Sequence, residues 1–467
     1  MVTNYPSQPA HSQGESLNTH DIGTTSQLFI DDHLVDNRWG VEYLTETVIR
    51  RFHAPIKHPR NPLIPGQGGL LNVIRDEEDG LFRMWYQEYW DQSMEPRLYT
   101  YAIAYAESSD GLDWTLPRIG EHEFKGTKDN NVVLLGPTGG RAESPYLLHV
   151  PERFKRGYKY VMLYLTDDPK SSRLIGSQDG IHWDPASDTC IATDYTPDTH
   201  GTIVWDEKTE RFVWFTRATN LYHTRGARRK VGRLEHTALW EEWPLRSENV
   251  LLPDQVDAET NHNYFYGMPT RIYGDTYIGF LWPYQHQQDI TVGLATSRDG
   301  MHFQRPVDRV RFIDVGEEGS WDGGMVHASG WVEVGDEWWI FYGGTSGRHH
   351  EIDPVPGIGL ATMRKEGFAS LQSPPGGGFV VTKTLICPSG RLWVNAEASS
   401  GQVRVKVTDF ERKDVPGFEE SRPITGDGVR QEISWDGKPI ETLAGREIRL
   451  EFEMTGTVDL YGFGFTE

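Results

Sequence analysis

A strand-like run that closes on a tight turn, Tyr99 to Trp114 (YTYAIAYAESSDGLDW), recurs in imperfect copies through most of this sequence, and that recurrence restricts the fold more than any other feature. The copies SRLIGSQDGIHW, VGRLEHTALWEEW, TVGLATSRDGMHF and GIGLATMRKEGF end at Trp183, Trp243, Phe303 and Phe368, so the closing aromatics are 69, 60, 60 and 65 residues apart. A unit of this size cannot bury its apolar face alone, and a near-constant period means that neighbouring units cover one another, stacked or fanned around an axis. Five copies predict five similar sheets.

Each copy is preceded by two further strand signals. The first strands are GLLNVIRD, ESPYLLHV, HGTIVWD, NYFYGMPTRIY and DGGMVHASGWVEV; the second are FRMWYQEYW, YKYVMLYLT, RFVWFTRAT, TYIGFLWPY and EWWIFYGGT, with hairpin residues such as Glu78-Asp79-Gly80 and Gly274-Asp275 between them. The 49 Gly and 27 Pro supply the turns, and 16 Trp, 20 Tyr and 19 Phe supply large buried areas where overall hydrophobic content is only 37%. The expected class is all-β, a five-bladed β-propeller. In the closing motif Ser-x-Asp-Gly-x-x-Trp, residues Asp110, Asp179 and Asp299 are expected to accept backbone N–H groups in a tight turn at the rim.

Residues 1–26 are polar and expected to be disordered or draped on the surface. The propeller is assigned to 27–371, with the alternating QLFIDDHLV at its start as the strand that closes the ring. The Pro- and Gly-rich stretch QSPPGGGF opens a linker, 372–385, and cleanly alternating strands over 386–467 predict a C-terminal β-sandwich.

The net charge of −22 argues against nucleic acid and anionic membranes as partners. No stretch is long and apolar enough to span a membrane, and the N-terminus lacks a basic region followed by an apolar one, which predicts a cytoplasmic protein; a homo-oligomer is compatible with the sequence. Cys190 and Cys387 fall in different predicted domains and read as reduced thiols. Nucleotide-binding, zincin and serine-hydrolase motifs are all missing.

In a propeller the innermost strands line the axis, so the residues that open them ring one mouth. Those openings are Gln67-Gly68-Gly69, Arg141-Ala142-Glu143-Ser144, Asp198-Thr199-His200, Glu259 with His262 to Tyr264, and Trp321-Asp322-Gly323. Carboxylates in four of the five suggest paired acid/base work on a glycosidic bond. Asp322 and Glu143 are the favoured pair, with Asp198 or Glu259 tuning a pKa or orienting substrate. His200 and His262 are candidates for binding hydroxyls, Tyr264 and Trp321 for stacking on sugar faces, and Arg348 with His349 for recognising a hydroxyl or carboxylate. Asp32, beside Asp31 near the expected closure, is a further candidate, or fixes the closure by hydrogen bonds. His200, His262 and His327 come from successive blades, but their spacing matches no compact metal signature, so neither metal nor other cofactor is assigned. The alternatives to a hydrolase acting on a small-molecule carbohydrate are a metal-assisted or His/Tyr-dependent lyase and a non-catalytic carbohydrate-binding propeller.

The combination QLFIDDHLV, RDEEDGLFRMWYQ, SSDGLDW, SQDGIHW, FYGMPTRIYGDTYIGFLW, GSWDGGMVHASG, GIGLATMRKEGFASL and VDLYGFGF resembles a large bacterial family of proteins similar to the N-terminal domain of family 32 glycoside hydrolases. The resemblance runs from about Gln27 to the end and implies a five-bladed propeller followed by a β-sandwich. The fructosidase pattern Trp-Met-Asn-Asp-Pro-Asn-Gly, an Arg-Asp-Pro triplet and a Glu-Cys pair are all missing, so no catalytic residue is carried over and the acids rest on their place in the funnel.

Overall fold

The computed structural model describes residues 19–37, 48–91, 99–218, 229–260, 262–284, 289–349, 351 and 355–466; most of the segment expected to be disordered, 1–18, lies outside these. The chain divides into two compact units, His53–Lys365 and a second made of Met1–Phe52 with Glu366–Glu467.

The first unit is the five-bladed propeller. Its successive antiparallel sheets are Leu71–Arg75, Phe82–Asp91, Tyr99–Ser108 and Val132–Leu134; Glu143–Leu147, Tyr160–Asp167, Lys170–Ser177 and Trp183–Thr193; Thr202–Asp206, Arg211–Arg217, Val231–His236 and Glu248–Leu251; Thr270–Tyr273, Thr276–Leu281, Val292–Ser297 and Arg311–Ile313; and Met325–Ala328, Glu337–Thr345 and Pro356–Arg364. The fifth blade takes its outer strands, Ile56–Lys57 and Ile64–Pro65, from the start of the unit, pairing Lys57 with Ala361 and Ile64 with Ile358. This joins the first residues of the unit to its last blade and closes the ring.

Alternation within each strand sends apolar side chains to both faces, and each face meets the next blade. Trp85, Tyr105, Tyr160, Met162 and Trp183 fill one such layer, Leu163, Phe212, Trp214 and Trp243 the next, and Phe82, Met84, Phe341 and Leu360 join the fifth blade to the first. Rings such as Trp85 and Trp214, fully buried, each remove ~150–250 Å² from water, a gross gain of about 4–6 kcal/mol before the entropy of ordering. Buried hydroxyls are satisfied across the same seams: the Tyr277 OH donates to Asp206 Oδ2 (2.7 Å) and the Tyr160 OH donates to Asp76.

The Asp-Gly turns form as expected. Asp110 Oδ1 accepts the N–H groups of Leu112 and Asp113, both at 2.8 Å, and Asp179 and Asp299 repeat the pattern. Glycine is required at the second of these turns, because Gly180 has φ +79° and an added Cβ would stand 2.5 Å from the Trp85 ring of the preceding blade.

The second unit is the β-sandwich, built on a long antiparallel pair, Leu392–Thr408 and Glu447–Phe465. Register shifts near Asn395 and Glu397 break its ladder and let so long a ribbon bend around its core of Val394, Val405, Leu450, Phe452 and Phe463. Four boundaries differ from the sequence expectation. The propeller ends at Lys365 and not at 371, because Ala369–Gln372 pairs with Leu460 and Asp459 of this unit. Gln27–Leu28 pairs with Gly462 and Phe463, so QLFIDDHLV belongs to this unit and does not close the propeller. His20–Asp21 pairs with Leu385–Ile386, which brings the end of the expected N-terminal tail into the sheet. Within the expected linker, Gly378–Thr382 is a strand on Glu451 to Met454, leaving only the turn at Pro374 to Gly377. Cys190 and Cys387 are both free. Among the described residues no helix is long and apolar enough to cross a membrane.

Candidate active site

Glu143 opens the innermost strand of the second blade. The ladder there is irregular between Glu143 and Tyr146, and Ser144 is held at φ +57°; Asp198, at the corresponding place before the third blade, is held at φ +51°. Two left-handed non-glycine residues at neighbouring strand starts mark backbone strained in the same direction. Gln87 of the first blade steadies the first of them, its Oε1 accepting the Ser144 N–H at 3.2 Å.

These turns bring Glu143 and Asp198 to one guanidinium. Arg141 donates to Glu143 Oε2 at 2.5 Å and to Asp167 Oδ2 at 2.5 Å, and its Nη2 lies 3.8 Å from Asp198 Oδ1. Because Nη2 touches both, the nearest oxygens of Glu143 and Asp198 can be no more than about 6.3 Å apart. Arg217, at the end of the second strand of the third blade, donates to the backbone carbonyls of Asp198 (3.0 Å) and Tyr266 (3.2 Å), with its Nη1 3.5 Å from the Asp198 carboxylate. Arg141 lies over the ring of Tyr101, and Tyr266 is flanked by Arg217 and Arg229.

The two acids sit in different media. The Glu143 side chain is 5% exposed and that of Asp198 50%. Burial pushes the Glu143 carboxyl up to about 7; Arg141 opposes this, and Asp198 and Asp167 reinforce it. Its Oε2 is taken by Arg141, and no hydrogen bond to Oε1 is found among the described residues, so Oε1 is the oxygen that can carry the proton. Burial, then the neighbouring Asp198, pushes the Tyr266 phenol up to about 12, which keeps it protonated at neutrality.

Deeper along the axis, His200 and His327 pack edge-on against Trp282, and His349 meets Tyr266 and Tyr284, whose OH lies 3.2 Å from His349 Nδ1. Burial drives His200 and His327 down to about 3, with His327 and Arg271 adding to the effect on His200 and His349 to that on His327. Both are neutral imidazoles at ordinary pH, able to accept or donate one hydrogen bond per nitrogen. Neither His200 nitrogen has a well-formed partner, and the buried Ser144 Oγ and Thr199 Oγ1 beside these acids are also unpartnered.

The remaining sequence candidates go elsewhere. Asp322 does not share this cluster: its buried carboxylate accepts from Lys57 (2.6 Å), Tyr342 (3.0 Å) and Ser320 (3.1 Å), tying the incoming loop to the closing strand. Trp321 stacks on Tyr342 and lies against Gly344, Gly357 and Gly359, whose missing side chains make its seat. Glu259 ends an exposed one-turn helix, bonded to Gln255. His262 lines a separate cavity of about 170 Å³ on the fourth blade with Asp257, Arg305 and Arg309. Tyr264 packs on Tyr284 at the edge of the funnel, Arg348 is exposed, and Asp32 pairs with Arg50 in the sandwich unit. Among the described residues no group of three or more His, Cys, Asp or Glu is arranged to hold a metal ion. Sequence reasoning missed Tyr101, Arg217 and Arg229; the only trace of Arg217 was a cation ending the otherwise apolar strand RFVWFTR.

A scan of family models finds no match, and no curated protein matches in sequence. Among solved structures the chain is similar to an N-acetylgalactosamine deacetylase from F. plautii in complex with blood group B trisaccharide, at 15% identity and TM-score 0.48 over 69% of this chain and 96% of that one. It is similar to a structure from the GH130 family of mannoside phosphorylases, described as containing glycoside hydrolases that target β-1,2 mannosidic linkages in Candida mannan, at 14% identity and TM-score 0.47 over 67% and 94%. It is also similar to a thermostable family-43 glycoside hydrolase, at 12% identity and TM-score 0.45 over 65% and 91%. Likeness at this level carries no activity across, and the functional reading rests on the site's own residues.

Proposed function

We propose that this chain is a glycoside hydrolase that cleaves a glycosidic bond in the propeller funnel, with Glu143 as general acid and Asp198 as its partner. The observation that carries this reading is the contrast in burial between two close carboxyl groups: one buried and held near 7, the other half-exposed. Paired acids whose environments separate them in this way divide naturally into proton donor and base or nucleophile. Asp198 thus takes the part that sequence position suggested for Asp322, whose carboxylate is occupied by Lys57, Tyr342 and Ser320.

The chemistry follows from the geometry. Glu143 Oε1 delivers its proton to the leaving oxygen as the bond to the anomeric carbon lengthens, and Arg141 steadies the carboxylate left behind. Glu143 Oε2 and Asp198 Oδ1 lie at most about 6.3 Å apart, a bound on the nearest oxygens that admits both the ~5–5.5 Å and the ~6.5–9.5 Å carboxyl separations. Asp198 serves as base or nucleophile, and the anomeric configuration of the product, inverted or retained, tells which. The rings of Tyr101 and Tyr266 hold the guanidinium groups of Arg141, Arg217 and Arg229 around the acids.

A panel of aryl glycosides, furanosides included, tests the reading. Turnover of at least one substrate, lost by 10²-fold or more in E143Q and D198N with folding intact, is expected. An unsaturated product absorbing in the ultraviolet would mark elimination in place of hydrolysis, and binding of sugars without turnover would leave a carbohydrate-binding propeller.

A further inference from the structure

Three guanidinium groups lie around Tyr101 and Tyr266, and two of them are paired with carboxylates. Arg141 is shared among Glu143, Asp167 and Asp198, while Arg217 holds Asp198 and two backbone carbonyls. Arg229 differs. It has no carboxylate partner among the described residues, and its Nη1 is buried without a hydrogen bond. Its guanidinium instead lies over two ring faces, 4.6 Å from the Tyr266 centroid and 5.2 Å from that of Tyr284. Stacking orients the planar fork but satisfies none of its N–H donors, because those lie in the plane of the group and the rings lie above it. In a chain with 68 acidic residues against 46 basic ones, an unpaired arginine beside two candidate catalytic acids is a vacancy for an anion.

We propose that the funnel recognises a sugar carrying an anionic group, a carboxylate or a sulfate ester, and that Arg229 is the residue that selects it. The inference rests on the reading of the funnel as a carbohydrate site and adds the class of sugar. Tyr266 places the two functions side by side. Arg229 lies over its ring, Arg217 holds its backbone carbonyl, and Arg217 also holds Asp198. An anionic substituent docked on Arg229 thus stands two residues, Tyr266 and Arg217, from Asp198. The bidentate fork suits the planar carboxylate of a uronic acid and two oxygens of a sulfate ester alike.

Titration calorimetry at low ionic strength on the full chain, with glucuronate, galacturonate, glucose 6-sulfate and galactose 6-sulfate against neutral glucose and galactose, tests this directly. At least one acidic sugar is expected to bind the wild type about tenfold or more tightly than its neutral parent, with affinity falling as salt rises. R229Q is expected to bring acidic and neutral sugars within about twofold, and R229K to keep part of the preference as a point charge. Which acidic ligands bind separates a carboxylate site from a sulfate site. The proposal is overturned if neutral parents bind as tightly as acidic sugars, if no acidic sugar binds, or if R229Q keeps the wild-type preference. Should R229Q fail to fold, the wild-type comparison and R229K still decide. Acidic sugars held through Arg229 without cleavage of any glycoside would refute the hydrolase and leave this inference standing; cleavage of neutral glycosides, unchanged in R229Q, would do the reverse.

Discussion

Replacing Glu143 by glutamine should remove activity and yet make the propeller more stable at alkaline pH. The Glu143 carboxyl is carried from 4.5 to about 7, chiefly by burial against the opposing attraction of Arg141. A raised carboxyl binds its proton more tightly in the folded than in the unfolded chain. Below about pH 4.5 both states are protonated and the group has no effect; between 4.5 and 7 only the folded state holds the proton, so stability falls as pH rises. Above 7 the loss is complete, at most about 3 kcal/mol for a shift of this size. Glutamine keeps the shape and cannot ionise, so E143Q should match the wild type near pH 4.5 and exceed it progressively to pH 8. For a unit of about 310 residues, with an unfolding entropy of ~2.1 cal/mol/K per residue, the full difference is about 5 °C in the melting temperature of the propeller transition. Calorimetric scans of both proteins at half-unit intervals from pH 4.5 to 8.5 give the measurement. Curves that run parallel across that range would refute the assignment of a raised carboxyl to Glu143. The same titration should set the alkaline limb of the rate profile, with kcat/KM falling about tenfold per pH unit above about 7.

D198N should fold normally and lose turnover, and azide should restore part of it with a glycosyl azide as product, read by mass spectrometry; no restoration would favour a base over a nucleophile. D322A leaves Lys57 and Tyr342 facing an empty buried site, and a loss of about 2–4 kcal/mol in denaturant unfolding is expected, with the pH dependence of any residual activity unchanged. G359A would place a Cβ 2.8 Å from the Trp321 ring, at a cost of about 1–3 kcal/mol in the same assay. In the sandwich unit, Glu366 is fully buried and receives both Nη groups of Arg430. E366A should therefore destabilise that unit by about 3–5 kcal/mol and leave the propeller transition where it was.

The blade order was legible because every repeat has a hairpin turn between two strands, and three of the five, at Asp110, Asp179 and Asp299, add an Asp-Gly turn after the third that local hydrogen bonds enforce. Closure was not legible, for a physical reason. The alternation of QLFIDDHLV announces a strand but does not name its partner, and its two-residue pairing is with the end of the chain. The strands that do close the ring, Ile56–Lys57 and Ile64–Pro65, are two residues each within the proline-rich HAPIKHPRNPLIPG. Strands so short have no period to read, and proline suits them because an outermost strand has one unpaired edge.

The candidate site divides along the same line. Glu143, Asp198 and His200 could be named because strand starts ring a propeller mouth whatever their sequence. Asp322 satisfied that rule equally well and still left the cluster, because the loop that carries it folds back across its own blade. The room for that fold-back is written in glycines, Gly344, Gly357 and Gly359, spread over two adjacent strands. A strand pair that gives up three side chains on one face must receive something large there, and Trp321 is the large residue within reach. Once Trp321 is seated, Asp322 follows it onto Lys57 and Tyr342. Glu143 and Asp198 face no such seat. The left-handed backbone at Ser144 and Asp198 turns both strand starts toward Arg141, and strain of that kind persists only where its surroundings hold it in place. One structural tie thus takes Asp322 away from the cluster, and one strained pair of strand starts brings Glu143 and Asp198 to Arg141.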